Sequence, residues 1–321
     1  MKYLSRRLIH AILLLVVISF FSFALLQMAP GDYFDSLRLN PQVSSETVDK
    51  IRAQYGLDRP FPVRYGLWLR GALEGDLGYS LASHSAVGPL IGVRARNTLL
   101  LSGTATALAW LLALPIGILS AAKRGRTVDR AAELATSALL TVPDLLLFLA
   151  LLLVAVRTGW FPTGGMTSEA NDGSSAWTTF TDIAFHLVLP AFGLALAMLP
   201  MLVRHVRSAM VEALEAPFVR AARGHGIRRR RILFRYALPV ASNPLIQLLG
   251  FSVATMLSTS VIAEIVLSWP GLGALMVESI FARDLYVVVA IVMLSSIFLV
   301  AGNLLADLLL VAADPRIRTE E

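Results

Sequence analysis

The stretch LYVVVAIVMLSSIFLVAGNLLA at residues 285–306 decides the fold class, because it runs for 22 residues without one Asp, Glu, Lys or Arg. A helix needs about 20 apolar residues to cross about 30 Å of hydrocarbon. Five further windows are similar: 8–31, 97–122, 131–156, 183–203 and 236–263. The third of these is interrupted by Glu133 and Asp144. Backbone groups in lipid must pair within their own segment, so the sequence predicts an all-α integral membrane protein with six transmembrane helices.

The composition excludes several classes of soluble protein. Of the 321 residues 56% are hydrophobic and 16% are charged, whereas a soluble domain carries about 25% charged residues. The chain has no cysteine, which excludes disulfides and thiolate metal sites. Its three lysines, Lys2, Lys50 and Lys123, are not preceded by glycine, so the sequence contains no Walker A phosphate loop. We therefore expect no cofactor on this chain.

The distribution of Lys and Arg predicts the orientation. With the N-terminus inside, the inside segments carry 18 of these residues and the two short outside segments carry two. The long outside segment carries eight, but long segments cross the membrane largely regardless of charge. Both termini are therefore predicted to be cytoplasmic, and the net charge of +6 reads as a topology signal rather than as a nucleic-acid face. The inside segments are 1–8, 122–130, 204–235 and 311–321, and the outside segments are 29–96, 157–182 and 264–284.

The segment between the first two helices is predicted to be extracytoplasmic and partly helical. Ser44 is a helix cap for a short helix that ends near Tyr55, and Pro62 suits the first turn of a second helix. Val63, Leu67 and Trp68 lie near one face of this second helix. Two interpretations stay open for it: a helix along the membrane surface, or a cap packed on the helix bundle.

The stretch APFVRAARGHG at residues 216–226 predicts a short helix in the cytoplasmic loop between the fourth and fifth spans. Pro217 favours the first turn of a helix, and Gly224 or Gly226 supplies the left-handed residue that ends one. A helix of two turns is marginal in water unless it packs on something. Its two alanines give a smooth face that another protein surface can approach closely. Such a helix, held between two long spans, suits force transmission from a soluble partner.

This loop resembles the EAA loop of ABC importer permeases, which reads E-A-A-x-x-x-G, then nine residues, then I-x-L-P. The matching residues are Arg220-Ala221-Ala222, Gly226 and Tyr236-Ala237-Leu238-Pro239. Arg replaces Glu and Tyr replaces Ile, and an Arg at the first place is common in the dipeptide/oligopeptide/nickel subgroup. The resemblance implies a coupling helix that docks in a groove on an ATPase subunit. The residues that it implies for this coupling loop are Phe218, Arg220, Ala221, Ala222, Gly224, Gly226, Leu238 and Pro239.

Other stretches resemble the same subgroup over nearly the whole chain. They are residues 26–32, 55–58, 75–80, 96–98, 268–273 and 314–318. The resemblance implies the ABC type I importer permease fold in a bacterial inner membrane. It also implies a second, similar permease, two P-loop ATPase subunits that bind ATP and Mg, and an extracytoplasmic substrate-binding protein.

The same resemblance divides the chain into three parts. Residues 1–96 hold the first transmembrane helix and the extracytoplasmic segment. Residues 97–310 form the permease core with five transmembrane helices, including the cytoplasmic coupling loop at 204–239. Residues 311–321 form a cytoplasmic tail.

Polar residues inside the predicted spans are candidates for the translocation path. Asp144 follows Pro143 near the middle of the third span, where an ionisable group is costly. It faces a transport path and meets a peptide's amino group, or it pairs with a polar neighbour, or it lies protonated between helices. Asn243, Gln247 and Ser258 share one face of the fifth span, and they line a water-filled path or hold helices together.

Several charged groups have a simpler interpretation. The run Arg228–Arg231 is an anchor to anionic lipid headgroups, with contact to an ATPase as the alternative. Glu264 and Glu278 contact a binding protein outside the membrane, or they are only solvated. The five histidines lack the H-E-x-x-H spacing of zinc proteases. His186 is expected at the membrane interface.

Two rival classes remain. An intramembrane enzyme would need a nucleophile and a base at membrane depth, and Ser102 has no histidine at a matching depth in the sequence. A channel or secondary transporter, independent of ATP, would have no use for the short cytoplasmic helix. Peptides are the commonest substrates of the resembled subgroup, with nickel, glutathione and some sugars as alternatives.

Overall fold

The structure of the protein, a computed structural model, describes residues 2–28, 46, 58–168 and 175–313. The described helices are α1 (Lys2–Met28), α2 (Phe61–Leu73), α3 (Val87–Ala122), α4 (Thr127–Thr141), α5 (Asp144–Thr158), α6 (Ala176–Glu215), α7 (Pro217–Gly224), α8 (Arg229–Arg231), α9 (Leu238–Val266), α10 (Leu272–Phe281) and α11 (Leu285–Ala313). A π-helical turn, Ile232–Ala237, joins α8 to α9. Strands β1 (Tyr79–Ser80) and β2 (Ser85–Ala86) form an antiparallel hairpin.

The predicted all-helical membrane architecture is confirmed. Within the described residues, five helices are long and apolar enough to span a membrane: α1, α3, α6, the run Arg229–Val266, and α11. Many of their apolar side chains are exposed, such as Ile9 and Leu13 on α1, at 65% and 60%. Exposed apolar side chains on a spanning helix are solvated by lipid, so this exposure suits the membrane assignment.

The third predicted span, 131–156, is not one straight helix. The chain bends by 96° between α4 and α5, at residues 142–143. Val142 has an extended backbone, with φ −88° and ψ 117°, and the residue before a proline is disfavoured in the helical region. Pro143 therefore ends α4 and starts α5, and the two helices together replace the expected single span.

The described residues of Met1–Asn97 and Gly271–Val300 form one compact unit. In it Phe23 of α1 and Val289 of α11 are fully buried, and Trp68 of α2 packs against them. The Trp68 indole N–H donates to the Leu77 carbonyl at 3.2 Å. This packing supports the interpretation of α2 as a cap on the bundle. The short helix predicted over 44–55 lies outside the described residues, apart from Glu46, which is helical.

The β-hairpin is held by a buried carboxylate of the same unit. Asp284 is 2% exposed, and it accepts hydrogen bonds from the Ser80 hydroxyl at 2.7 Å and the Ala82 N–H at 3.1 Å. A buried carboxylate needs such donors to offset its lost hydration. Asp284 therefore fixes the position of the hairpin in this unit.

The described residues of Thr98–Pro270 and Ala301–Glu321 form the second unit. Its central helix is α6, which packs against α4, α5, α7 and α9. Gly193 permits the close approach of α5, because a Cβ at this position would lie 2.5 Å from Cε1 of Phe148. Trp269, next to the end of α9, is fully buried in the same apolar core. This unit contains the loop that the sequence singles out.

Candidate functional site: the short helix between α6 and α9

The short helix predicted at 217–226 exists as α7. Ala216 is extended, with φ −60° and ψ 144°, and separates α6 from α7. Pro217 follows as the first residue of α7, where its missing N–H costs no intrahelical hydrogen bond. The chain therefore turns sharply and begins a new helix of eight residues.

Gly226, and not Gly224, supplies the left-handed residue after α7. Its φ is +73°, and its N–H donates to the Arg223 carbonyl at 3.0 Å. The Ile227 N–H returns to the Ala222 carbonyl at 3.2 Å. These bonds satisfy carbonyl groups at the end of the helix, as αL C-caps commonly do.

The inner side of α7 is anchored in an apolar cluster. Val219 is fully buried and Ala222 is 6% exposed. Their cluster includes Met210 and Leu214 of α6 and Ile232 of the π-helical turn. The Arg223 guanidinium also donates to the Leu214 carbonyl at 3.3 Å. This packing supplies the stability that eight residues lack on their own.

The outer side of α7 exposes an aromatic ring and a cation. Phe218 is 45% exposed, and Arg220 and Ala221 are exposed beside it. Ala222 was expected on the smooth docking face together with Ala221, but it packs inside the chain. We call Phe218, Arg220 and Ala221 the outer face of α7. Aromatic and Arg side chains are enriched in protein interfaces, so this face suits contact with another protein.

The remaining coupling-loop candidates lie after the π-helical turn. Leu238 begins α9 and is half-buried, and Pro239 follows it and is exposed. The chain from α7 to α9 thus passes through α8 and the π-helical turn without an extended segment after Arg228. π-helical segments occur frequently at functional sites.

An ion-pair network between α4 and α6 was not predicted from the sequence. Asp129, 3% exposed at the start of α4, receives two hydrogen bonds from Arg207 of α6, at 2.6 and 2.9 Å. It also accepts from the Ser120 hydroxyl and from the Gly125 N–H. The network ties the α3–α4 connection to α6. An acid in the first turn of a helix was the available signal, but its partner lies 78 residues away.

The candidates for a translocation path fall on two helices. Asp144 begins α5 at the bend and is half-buried. On α9 Asn243 is half-buried, while Gln247 and Ser258 are exposed. The neighbouring Ser260 turns inward and is fully buried. α5 and α9 pack against each other, so these four candidates lie on adjoining helices.

Glu264 differs from its predicted environment. It is fully buried rather than solvated, and its Oε1 accepts from the Thr98 hydroxyl at 2.7 Å and the Ser260 hydroxyl at 3.3 Å. These partners offset the loss of hydration. His186 is 7% exposed, with its Nδ1 3.3 Å from an Asp182 carboxylate oxygen and 2.9 Å from the Asp182 carbonyl oxygen.

Comparison with known families decides the class of the chain. Residues 113–319 match the family described as binding-protein-dependent transport system inner membrane component, and residues 1–102 match the N-terminal region described for such membrane components. The chain belongs to this family. It is a multi-pass inner-membrane permease of an ABC importer, as the sequence analysis predicted.

Relatives of the permease are similar over its whole length. An oligopeptide transport system permease protein of Bacillus subtilis is 36% identical over 98% of both chains. An oligopeptide transport system permease protein of Mycobacterium tuberculosis is 31% identical over 99% of both chains. A dipeptide transport system permease protein of Escherichia coli is also 31% identical over 99% of both chains.

The fold of the permease also resembles a solved importer. A structure of the MetNI methionine ABC transporter, in an inward-facing conformation, matches with a TM-score of 0.56 and 18% identity. The match covers 70% of the permease and 96% of the other chain. At this identity the similarity supports the type I importer permease fold.

Proposed function

We propose that the permease is the membrane-spanning subunit of an ATP-driven importer of dipeptides and oligopeptides. It forms a translocation path with a second, similar permease, and an extracytoplasmic binding protein delivers the substrate. Two P-loop ATPase subunits bind ATP and Mg and dock on the outer face of α7. The permease itself has no ATPase site. The names of the relatives support the substrate class, and the structure of the loop supports the docking site.

The observation that carries this proposal is the two-sidedness of α7. Val219 and Ala222 fix the helix to α6 and the π-helical turn, while Phe218 and Arg220 stay exposed on the other side. The Phe218 ring is 45% exposed, so a docked partner would gain by removing its apolar area from water. Since α7 connects α6 to the run that becomes α9, a force on α7 reaches two membrane helices.

The proposed orientation places α7 and both termini in the cytoplasm, as the Lys and Arg distribution favours. Residues 97–310 form the permease core, with 1–96 as the first helix and extracytoplasmic segment and 311–321 as the tail. Asp144, Asn243, Gln247 and Ser258 face the path for peptide backbones. Alternating access then requires that ATP-bound and ATP-free ATPases favour different conformations of the bundle.

The test is purification of the permease in mild detergent, with mass spectrometry of the proteins that accompany it. We expect a second permease and one or two P-loop ATPases, together with ATP-dependent uptake of labelled dipeptides in reconstituted vesicles. A permease that purifies alone, and takes up peptide only while an ion gradient persists, would contradict the proposal.

The docking site has its own matched variants. Phe218→Ala is expected to lower recovery of the ATPase at least about tenfold, because truncation of a central aromatic anchor commonly costs 2 kcal/mol or more. Phe234→Ala is the control, since Phe234 is 53% exposed but lies in the π-helical turn rather than on α7. Equal recovery with both variants would remove α7 from the interface.

A further inference from the structure

A cationic cavity lies beside α7, within the second unit. Its volume is about 550 Å³, which falls within the roughly 300–1,000 Å³ of small-molecule sites. Its walls come from the end of α3, the end of α6, the end of α7 and the π-helical turn. The charged side chains that line it are Lys123, Arg124, Arg126, Arg223, Arg229 and Glu215.

The positive charge of this cavity is not neutralised by the described parts of the chain. Glu215 pairs with Arg124, and the Arg223 guanidinium donates to a backbone carbonyl. No acidic side chain in the described ranges pairs with Lys123, Arg126 or Arg229. Three cations from two separate segments, the α3–α4 connection and α8, therefore line one cavity.

The remaining lining of the cavity is apolar. Val211 and Leu214 come from α6, and Ile227, Ile232 and Leu233 come from the segment after α7. Leu214 and Ile232 are buried. The cavity thus combines an apolar floor with a cationic rim at the ends of membrane-spanning helices. A phosphodiester that carries acyl chains matches both parts, whereas free phosphate matches only the rim.

We propose that this cavity binds the headgroup phosphate of an anionic phospholipid. Basic pockets between transmembrane helices bind such headgroups, and Arg forms bidentate hydrogen bonds with phosphate oxygens. In this site Arg126 and Arg229 bind the phosphate from opposite segments. The basic run 228–231 then has two roles, because Arg229 lines the cavity whereas Arg230 and Arg231 do not. A bound lipid would fasten the α3–α4 connection to the segment after α7.

The experiment measures lipid retention by the permease purified with the subunits that accompany it. The sample is stripped of excess lipid and incubated with equimolar phosphatidylglycerol and phosphatidylcholine, and bound lipid is counted by native mass spectrometry. We expect selective retention of phosphatidylglycerol. Arg126→Gln/Arg229→Gln is expected to reduce this retention on the order of tenfold, while Arg230→Gln/Arg231→Gln, with the same loss of charge, retains the lipid.

Further measurements separate the alternatives. Arg126→Lys/Arg229→Lys keeps the charge but loses the bidentate geometry, so it is expected to retain more phosphatidylglycerol than the Gln pair and less than the unchanged permease. Unchanged elution and subunit recovery show that each variant folds. Equal losses in the two Gln variants would overturn the proposal in favour of diffuse surface charge. Full displacement of the lipid by excess inorganic phosphate would overturn the lipid assignment. A photo-crosslinker at Val211 that captures an ATPase subunit instead of lipid would overturn it too. None of these results depends on peptide import.

Discussion

Arg207 on α6 binds Asp129 on α4 through both carboxylate oxygens, with Nε–Oδ1 and Nη2–Oδ2 distances of 2.6 and 2.9 Å. The carboxylate is almost fully buried, whereas the Arg207 side chain is 33% exposed. Breaking a buried ion pair by removing one partner is strongly destabilising, because the other charge stays behind without compensation.

Asp129→Ala is therefore expected to lower the free energy of unfolding by about 3 kcal/mol. The Ser120 hydroxyl would also lose its acceptor. The measurement is the midpoint temperature of unfolding in detergent. Glu215→Ala is the control, because it removes an ion pair at the surface. In this pair Glu215 is 66% exposed and its partner Arg124 is 56% exposed. Such exposed pairs contribute about 0–1 kcal/mol. Equal shifts for both variants would contradict the structural role of Asp129.

The two glycines at the end of α7 offer a test of backbone strain. A Cβ at Gly224 or at Gly226 would meet no atom within 4 Å, but only Gly226 has a positive φ, +73°. Gly226→Ala is expected to cost about 1–2 kcal/mol. Gly224→Ala is expected to be neutral or slightly stabilising.

Hydrogen exchange of the amides of residues 217–227 measures this difference. Faster exchange in Gly226→Ala, with unchanged exchange in Gly224→Ala, is the expected result. Similar exchange in both variants would mean that the cap at Gly226 does not hold α7.

The close approach of α9 and α11 depends on Gly250. A Cβ at this position would lie 2.4 Å from the Ala306 Cβ and 3.2 Å from the Gly302 carbonyl oxygen. Gly250→Ala is therefore expected to destabilise the permease by about 1–3 kcal/mol through overpacking. Small residues commonly permit such helix contacts in membranes.

Ala306→Gly provides the matched rescue, because it removes the nearest clashing carbon. The double variant is expected to unfold at a higher temperature than Gly250→Ala alone. Gly103→Ala is the control, since a Cβ there meets nothing within 4 Å. A double variant that is less stable than Gly250→Ala would show that the contact with Ala306 is not the cause.

Glu264 is expected to be structural. Glu264→Ala would leave the Thr98 hydroxyl without the acceptor that it uses at 2.7 Å, and a buried group left without its partner costs about 1–3 kcal/mol. Glu264→Gln keeps a carbonyl acceptor and should lose less. Thermal unfolding measures both, with Glu278→Ala on the exposed side of α10 as a control expected within about 0.5 kcal/mol. A Glu278 variant as unstable as Glu264→Ala would contradict this interpretation.

The spans and α7 were predictable because each depends on local sequence. An apolar window of about 20 residues forms a helix in lipid, because its backbone groups must pair within the segment. Pro217 favours the start of α7 and Gly226 favours its end, because each residue prefers a particular backbone conformation. Composition does not reveal a bend, so 131–156 looked like one span although Pro143 divides it. Hydropathy averages over several residues, and a single proline does not change it.

Burial of charge was not predictable from the sequence. Glu264 follows directly after an apolar window, and the sequence predicted contact with a binding protein or solvation, yet the Thr98 hydroxyl that stabilises it lies 166 residues away. Ala222 likewise looked equivalent to Ala221 until the apolar cluster around Val219 fixed which side of α7 faces inward. In each case the residues that determine the burial are distant in the chain, so a local sequence pattern does not predict it.

The wide turn at Ile232–Ala237 gives the fifth span a tolerance to changes of length. Each residue of an α-helix advances about 100° around the axis, whereas a π-helical hydrogen bond closes one residue later. The turn therefore accommodates one additional residue, and the side chains of α9 keep their orientation around the helix axis. Loss of one residue there would restore an ordinary α-helix and leave Asn243, Gln247 and Ser258 pointing as before. The same loss inside α9 would rotate part of this polar row by about 100°, away from any path that it lines.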